Sequence, residues 1–333
     1  MSTARSKMFR TRARRGRIAA IATASALAAG ALAGTGVAGA STSSTPPDAS
    51  GNFAFHTIND SHDPTFNQLL GITNSGVIAG YFGSGMKGHP NRGYVVAPGY
   101  SQGQFHNENF PGAAQTQVIG INSHGDTVGF YVDGQGANHG FLKLRGRGFK
   151  TADFPTANNA SPKVDQLLAV NDAGIAVGFY TDSKGNNHGF SVNTHTRRYK
   201  SINVAGDSNV TVAGINNVGD VSGFATNSAG NTEGFLRRSD GRVFHLNVPG
   251  ASSTMAFGLN DGDEVVGDYT VGTGSSAATH GFIWSPGFGF ATLDDPNGIG
   301  ATTLNGVNDR GTVVGFYTDS NGNTDGMLAK SNQ

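Results

Sequence analysis

The chain contains no cysteine among its 333 residues. This absence excludes a disulfide-stapled scaffold, a cysteine nucleophile and thiolate metal ligands. Proline is also scarce, with 11 residues beside 51 glycines, so the composition is neither collagen-like nor that of an ordinary helical protein. The 21 Phe, 8 Tyr and 1 Trp supply enough apolar surface for a folded core, which excludes a fully disordered chain.

Familiar catalytic motifs are missing as well. The sequence has no nucleophile elbow, no P-loop and no dinucleotide-binding fingerprint. Its glycines are dispersed along the chain instead of being clustered after one strand. We therefore predict no cofactor.

The N-terminal segment, residues 1–40, has the three parts of a secretory signal peptide. Seven basic residues precede the first acid, an Ala-rich apolar run follows, and Ala38-Gly39-Ala40 offers a small-x-small cleavage site. A membrane anchor is the alternative, although the Gly and Ala content makes the run a weak span. Arg14-Arg15 leaves a twin-arginine signal open beside the general secretion route. We expect a secreted, extracellular protein with no membrane segment after cleavage.

The charge of the remaining chain limits its partners. Without residues 1–40 it carries 16 basic and 23 acidic residues, a net charge of −7. Nucleic acid rewards basic surfaces, so we expect no nucleic-acid partner. Residues 41–52 are rich in Ser, Thr, Pro and Asp and are predicted to be a flexible linker. We expect the mature chain to be a monomer.

Three series of residues recur six times between residues 53 and 330, with a mean period of 47 residues. The first is a glycine that ends an apolar strand: Gly80, Gly129, Gly178, Gly223, Gly267 and Gly315. The second is a glycine before Tyr, Phe or Met: Gly93, Gly140, Gly189, Gly234, Gly281 and Gly326. The third is an aromatic residue, for which we expect core positions between units: Phe55, Phe105, Phe149, Tyr199, Phe244 and Phe290.

One unit, between Gln117 and Pro155, divides into four short strands separated by turns. Asn122 begins its first turn, and Gly125 suits the left-handed backbone of a hairpin. Short runs with turn residues between them and no helical period favour strands over helices. Four antiparallel strands in about 47 residues are typical of a propeller blade.

The strand count predicts how the ring closes. The fourth strand occurs six times, but its first copy, Phe53 to Ile58, precedes the first full unit, and the last unit stops near Lys330. We predict an all-β fold, a six-bladed β-propeller of four-stranded antiparallel blades over residues 53–333. Its N-terminal strand completes the last blade, which leaves no open sheet edge at the closure. A lectin-like trefoil and a β-helix explain the repeat less well.

Several phrases resemble the HAF family of bacterial extracellular repeats, named for a His-Ala-Phe tripeptide. They include His139-Gly140-Phe141-Leu142, His188-Gly189-Phe190 and His280-Gly281-Phe282-Ile283-Trp284, with Gly in place of Ala in every copy. The resemblance covers nearly all of residues 53–330 and implies secretion and a propeller-like fold. It implies no particular substrate or catalytic residue, and a fold does not define a function.

Polar residues recur near the start of the third strand: His89, His139, His188, Glu233, His280 and Asp325. A shared metal would need every ligand near 2 Å from the ion, whereas equivalent third-strand residues of a six-bladed ring lie more than about 10 Å apart. We expect each of them to hold its own loop, and we predict no metal site. The segment Asp319 to Gly326 resembles a calcium loop but lacks the Gly and Glu of the EF-hand pattern, so a weak calcium site in one blade stays open.

Residues that break the repeat are the better candidates for function. The loop Asn59 to Pro64, the loop Thr156 to Gln166 and the loop Thr270 to Thr279 all fall in connections that we expect on one face of the ring, near the mouth of the channel. Candidate catalytic residues there are His62, Asp63, Asp165 and Asp295. Candidate ligand-binding residues are Lys163, Asp207 and Asp294.

The sequence leaves three functions open. The first is a non-catalytic binding propeller with a carbohydrate or cell-envelope component as its extracellular ligand. The second is a lyase or hydrolase that acts on a glycan or ester at the channel mouth, and the third is a purely structural surface protein. Convergence of the loop acids and His62 in one pocket favours the enzyme, whereas their scatter around the face favours binding.

Overall fold

The computed structural model describes residues 45–332, and these form an all-β six-bladed propeller, which confirms the predicted fold class. Each blade is a four-stranded antiparallel sheet. Three short 3-10 helices accompany the sheets: Ser50–Asn52, Gln102–Gln104 and Gly274–Ser276. Within residues 45–332, no helix combines the length and the hydropathy that crossing a lipid bilayer requires. The predicted signal peptide lies outside the described residues.

Strand β1 (Phe53–Thr57) comes first in the chain and belongs to the sixth blade. Blade 1 contains β2 (Asn67–Ile72), β3 (Ile78–Phe82), β4 (Arg92–Val96) and β5 (Phe105–Asn107). Blade 2 contains β6 (Gln115–Ile121), β7 (Thr127–Val132), β8 (Asn138–Lys143) and β9 (Phe149–Thr151). Blade 3 contains β10 (Asp165–Val170), β11 (Ile175–Thr181), β12 (Asn187–Asn193) and β13 (Tyr199–Ile202).

The second half of the ring repeats this order. Blade 4 contains β14 (Ser208–Ile215), β15 (Val221–Thr226), β16 (Thr232–Arg237) and β17 (Val243–Leu246). Blade 5 contains β18 (Ser253–Leu259), β19 (Val265–Val271), β20 (Ala278–Ser285) and β21 (Gly289–Thr292). Blade 6 contains β22 (Thr302–Val307), β23 (Val313–Thr318) and β24 (Thr324–Ser331), and β1 completes it.

The closure of the ring follows the predicted offset. Strand β1 pairs antiparallel with β24, from Phe53 opposite Ser331 to Thr57 opposite Met327. The residues before β1 also bind the ring, because the backbone of Thr292 accepts from Ala49 and donates to Pro47 at 2.8 and 2.9 Å. The end of the predicted linker therefore lies against blade 5.

The glycines of the first series lie inside the second strands, not at their ends as the sequence predicts, and they allow close packing within a blade. At Gly129, a Cβ atom would lie 2.0 Å from the backbone oxygen of Gln117 and 2.9 Å from the ring of Phe141. The third-strand aromatic residue thus packs directly over the glycine backbone. The recurrence of the first glycine series is explained by this contact rather than by a turn.

The hydrophobic core is divided among the gaps between neighbouring blades. One cluster joins Val314 and Leu328 of blade 6 to Leu69 and Tyr94 of blade 1, all of which are fully buried. Similar clusters fill the other gaps. Because each sheet packs on the next, removal of one blade face exposes apolar surface on two blades.

Candidate functional site

The tight turns between first and second strands form one face of the ring, here called the turn face. The Asn122 Oδ1 atom accepts from the backbone of Asp126 at 2.9 Å, and its Nδ2 atom donates to the backbone oxygen of Asn171 in the next blade at 3.2 Å. The same link from blade to blade is made by Asn171, Asn216, Asn260 and Asn308. These asparagines hold the turns and join neighbouring blades.

A second ring of contacts covers the turn face. The Asp172 carboxylate accepts from the backbone N–H of Ser123 at 2.8 Å, and Asp172 in turn donates its own N–H to Asn217 at 2.9 Å. Asp261 and Asp309 accept in the same way from the preceding blades. These exposed carboxylates therefore bind backbone groups of the ring itself.

The axial channel is too small for a drug-sized ligand. Two cavities along it measure about 90 Å³ each, and Ile72, Ile121 and Val170 line both. Clefts that hold drug-sized ligands measure about 300–1,000 Å³. The channel is narrow because the inner strands touch: a Cβ atom at Gly120 would lie 2.7 Å from the Cα atom of Ala169.

The opposite face, here called the loop face, carries the fourth-to-first and second-to-third connections, as the sequence predicts. Isolated bridges join the two kinds of connection across blade boundaries, as between Asn138 and Val164 and between Thr279 and Ala301. Every residue that the sequence analysis proposes as catalytic or ligand-binding lies in or beside these connections.

The histidines of the third strands do not share a site. His139 Nδ1 binds Asp153 at 2.7 Å, and His280 Nδ1 binds Asp294 at 2.7 Å, in each case within one blade. The second oxygen of each carboxylate accepts from the backbone N–H of the glycine that follows the histidine, Gly140 or Gly281. His139, His188 and His280 thus each bind a carboxylate of their own blade, as expected, and Asp294 takes part in this role. His89 differs, because its partner Asp63 lies in the connection before β2.

His62 and Asp63 are adjacent in the chain but bind different partners. The Nδ1 atom of His62 lies 2.6 Å from Asp60, and Asp63 lies 2.6 Å from the Nδ1 atom of His89. Burial raises the pKa of Asp63, but hydrogen bonds from Thr65 and His89 lower it by more. The pKa of Asp63 therefore lies below its usual range. The two residues therefore form two separate His–carboxylate pairs.

These two pairs expose their imidazoles and bury their carboxylates. The side chain of His62 is 70% exposed and that of His89 is 55% exposed, while Asp60 and Asp63 are buried. His62 also stacks on the Phe82 ring, with 5.7 Å between centroids. Since Nδ1 of each imidazole binds a carboxylate, Nε2 is the ring nitrogen left to meet a ligand.

The sequence analysis missed Asp60 and His89 as the partners, although one signal was present. Asp60 follows the fourth-strand repeat where four other units carry Phe110, Phe154, Val204 and Val248. Asp295 is the second carboxylate at this position, and the other four residues are apolar. A carboxylate among mostly apolar residues points to a local partner, because a buried charge needs one.

Asp165, a candidate catalytic residue, takes part in a bond that holds the connection before blade 3. It is fully buried, and its Oδ1 atom accepts from the backbone of Phe154 at 2.8 Å. The equivalent residues Asn67, Thr116, Thr254 and Thr302 accept the same bond in other blades. Asp165 therefore makes the hydrogen bond that a neutral Asn or Thr makes in those four blades.

Lys163 is the cation of this junction. Its Nζ atom lies 3.0 Å from Asp153 and 3.4 Å from Asp165. Burial raises the pKa of Asp165 to about 7, although the bond from Phe154 and the nearby Lys163 oppose the shift. Two of the candidate residues, Lys163 and Asp165, thus lie together at the junction of blades 2 and 3.

Asp295 and Asp207 lie at two other junctions. Asp295 is buried and accepts from Asn297 at 2.9 Å, and burial raises its pKa. Asp207 precedes blade 4 and lies 3.9 Å from the Nδ1 atom of His245, beside Glu233. Within residues 45–332, no hydrogen bond or ion pair joins any two of the four proposed catalytic residues. The four proposed catalytic residues therefore do not converge in one pocket.

No protein-family model and no curated protein sequence matches the chain. Its fold is similar to that of several solved propellers. Superposition on AofleA from Arthrobotrys oligospora gives a TM-score of 0.53 at 10% identity and covers 83% of this chain and 85% of that one.

Two further structures show the same likeness at a lower score. A streptogramin B lyase gives a TM-score of 0.49 at 12% identity, covering 86% of this chain and 100% of that one. The Aleuria aurantia lectin in complex with Fucα1-6GlcNAc gives 0.49 at 9% identity, covering 79% and 91%. Identities this low establish the propeller fold alone.

Proposed function

We propose that this protein is a secreted β-propeller that binds a carbohydrate or cell-envelope component through its loop face. The observation that carries the proposal is the spread of polar loop residues over separate junctions. His62, Asp165, Asp207 and Asp294 lie at four different blade junctions, each beside partners of its own. Such a surface offers several separate contacts to an extended ligand, and no single reaction centre.

The pair His62 and His89 is the strongest contact point on this face. A carboxylate on Nδ1 fixes the tautomer of each imidazole, so that the neutral ring presents Nε2 as a hydrogen-bond acceptor. Sugar hydroxyls are matching donors. The exposed side chain of Met86 and the ring of Phe82 add apolar surface, which suits the C–H face of a sugar.

The charge of the chain agrees with a neutral or cationic ligand. Residues 41–333 carry a net charge of −7, so a polyanion is repelled. The proposal includes an extracellular location and membership of the HAF-type repeat family. Its support there is the N-terminal segment 1–40 and the His-Gly-Phe phrases of the sequence.

The experiment is a binding screen of the purified protein against neutral, cationic and anionic polysaccharides and peptidoglycan, followed by titration calorimetry on any glycan that binds. The double substitution His62→Ala and His89→Ala removes both imidazoles and leaves the buried Asp60 and Asp63 in place. We expect at least about a tenfold loss of affinity, about 1.4 kcal/mol.

The matched control is the double substitution Ser123→Ala and His124→Ala on the turn face, where both side chains are exposed. We expect its affinity to equal that of the wild type. If the control loses affinity and the His62 and His89 variant does not, the ligand binds the turn face and the proposed loop face is wrong. A screen without any bound glycan contradicts the carbohydrate proposal itself.

A further inference from the structure

Blade 4 departs from the repeat at three positions that face one another. The residue opposite the polar third-strand position is Ala225, whereas the other five blades have an aromatic ring there: Phe82, Tyr131, Tyr180, Tyr269 and Tyr317. The third-strand residue itself is Glu233, and on β17 His245 stands where the other blades have Thr57, Asn107, Thr151, Ser201 and Thr292.

The missing ring changes what lies next to the third strand. In blades 2 and 3 the tyrosine ring stacks on the histidine opposite it, with 5.1 Å between Tyr131 and His139 and 5.0 Å between Tyr180 and His188. Ala225 carries no ring to do this. Glu233 is instead approached by His245 of the outer strand and by Asp207 from the connection before β14.

These three side chains form a compact group of ligand atoms. Glu233 Oε1 lies 2.6 Å from His245 Nδ1, and Asp207 Oδ2 lies 3.9 Å from the same nitrogen. One ligand atom from each residue lies within 4.8 Å of the other two. Ligands about 2.0–2.2 Å from a common ion fit within such a span.

The second observation is an oxygen without a partner. The Asp207 side chain is only 5% exposed, and its Oδ2 atom makes no hydrogen bond within residues 45–332 although it points at His245. A buried polar atom left unpaired is costly and calls for a ligand.

Blade 2 shows how the same need is met elsewhere. There Lys163 places its ammonium 3.0 Å from Asp153, next to His139. In blade 4, no Lys or Arg of residues 45–332 forms an ion pair with Asp207 or Glu233. The ammonium group that Lys163 provides beside blade 2 therefore has no counterpart at Asp207 and Glu233 among the described residues.

We propose that Asp207, Glu233 and His245 bind one divalent transition-metal ion of the zinc type. An imidazole nitrogen with two carboxylate oxygens suits zinc better than calcium or magnesium, which prefer oxygen ligands alone. Asn227 and Asn247 donate to the second oxygen of Glu233 at 3.0 and 3.1 Å and orient it. The ion takes the place of the proton on His245 Nδ1, and that proton passes through solvent to Nε2, so the imidazole binds the ion as a neutral ring.

Three protein ligands leave a fourth tetrahedral position open on the loop face, since the His245 side chain is partly exposed there. The expectation of no metal site rested on the distance between equivalent third-strand residues of different blades. That distance does not apply to a site whose three ligands come from separate segments of one blade.

The test is metal titration of the purified, chelator-treated protein with zinc, cobalt and calcium, followed by calorimetry, thermal melting and cobalt absorption. We expect zinc and cobalt to bind with one ion per chain and to raise the melting temperature, and calcium to have no such effect. The variants His245→Thr and Asp207→Asn should lose this binding. His245→Thr introduces the residue that three other blades carry, so it should fold, and circular dichroism checks this.

The control is His188→Gln, which alters a partly exposed histidine that binds Asp182 in blade 3. It should keep one zinc ion per chain. The proposal is overturned if the wild type shows no saturable zinc binding, if folded Asp207 and His245 variants bind as well as the wild type, or if calcium binds more tightly than zinc.

Discussion

The side-chain amide of Asn308 donates to the backbone oxygen of Thr73 at 3.0 Å, although the two residues are 235 positions apart in the chain. This bond links blade 6 to blade 1 on the turn face. Four other asparagines make the same link between successive blades. In blade 1 the equivalent residue is Thr73, which has no side-chain amide to donate to the backbone oxygen of Asn122. The ring of bonds is therefore open between blades 1 and 2.

The substitution Thr73→Asn should close this ring and stabilise the protein. The Thr73 hydroxyl already accepts from Val77 as the asparagine oxygens do elsewhere, so the new side chain keeps that bond and adds one to Asn122. We expect a gain of about 0.5–1.5 kcal/mol in the free energy of unfolding, measured by denaturant titration. The reverse change, Asn122→Thr, should cost a similar amount. Loss of stability in Thr73→Asn contradicts the prediction.

Deletion of residues 45–57 should abolish cooperative unfolding or cause aggregation. The deletion removes β1, leaves the edge of β24 unpaired and uncovers the apolar contacts of Phe53 and Phe55. Thermal melting and size-exclusion chromatography measure the effect.

A circular permutant provides the matched control for this deletion. Placing residues 45–57 after residue 332 through a short linker restores the strand beside β24, where Ser331 and Phe53 are already opposite each other. The permutant should recover cooperative unfolding. An unchanged melting temperature in the deleted protein contradicts the closure described for blade 6.

Gly129→Ala should destabilise the protein by about 1–3 kcal/mol or more, because its Cβ atom would overlap the Gln117 carbonyl and crowd the Phe141 ring. Gly134→Ala is the matched control in the same blade. A Cβ atom at Gly134 meets nothing within 4 Å, so this change should be close to neutral. Urea unfolding measures the free energy of unfolding of both variants. Equal values would contradict close packing at Gly129.

Asp268 should make the protein less stable as pH rises. It is buried and accepts one bond, from Thr303 at 3.0 Å, and burial raises its pKa from 3.8 to about 7. Between these values the folded chain keeps the proton that the unfolded chain releases. The free energy of unfolding should therefore fall from about pH 4 to about pH 7, by up to about 1.4 kcal/mol per pH unit, and level off above.

The variant Asp268→Asn removes this titration and should show a shallower fall over the same range. Asp165, whose pKa is also raised to about 7, stays in place and gives the remaining slope. Denaturant unfolding at about pH 5 and about pH 8 measures both proteins. Identical pH profiles of wild type and variant contradict a shifted pKa at Asp268.

The sequence predicts the fold well because each blade repeats the same local chemistry. The Asn122 turn, the Gly129 contact and the early fourth strand at Phe53 are each visible as spacing. One expectation about the core is wrong: Phe244 is 41% exposed, below the guanidinium of Arg238. It lies on the outermost strand of its blade, where neighbouring blades diverge from the axis.

The candidate sites are less predictable, since they depend on contacts between segments that have no fixed spacing. His89 reaches Asp63 from an insertion 26 residues away. Likewise, Asp207, Glu233 and His245 come from three segments of one blade, and their approach depends on the absence of a ring at Ala225. The signal that would have found them is the substitution of several repeat positions in the same unit.

The pairing of β1 with β24 also sets the order in which the molecule can be completed. Among the described strands, the one that holds Phe53 is made first, and the one that holds its partner Ser331 is made last. Five sheets can form before β24 has been made, whereas the sixth must wait for this strand. Contacts of such long sequence separation slow folding, so ring closure is expected to be the final and slowest step, and the nascent chain needs protection until then.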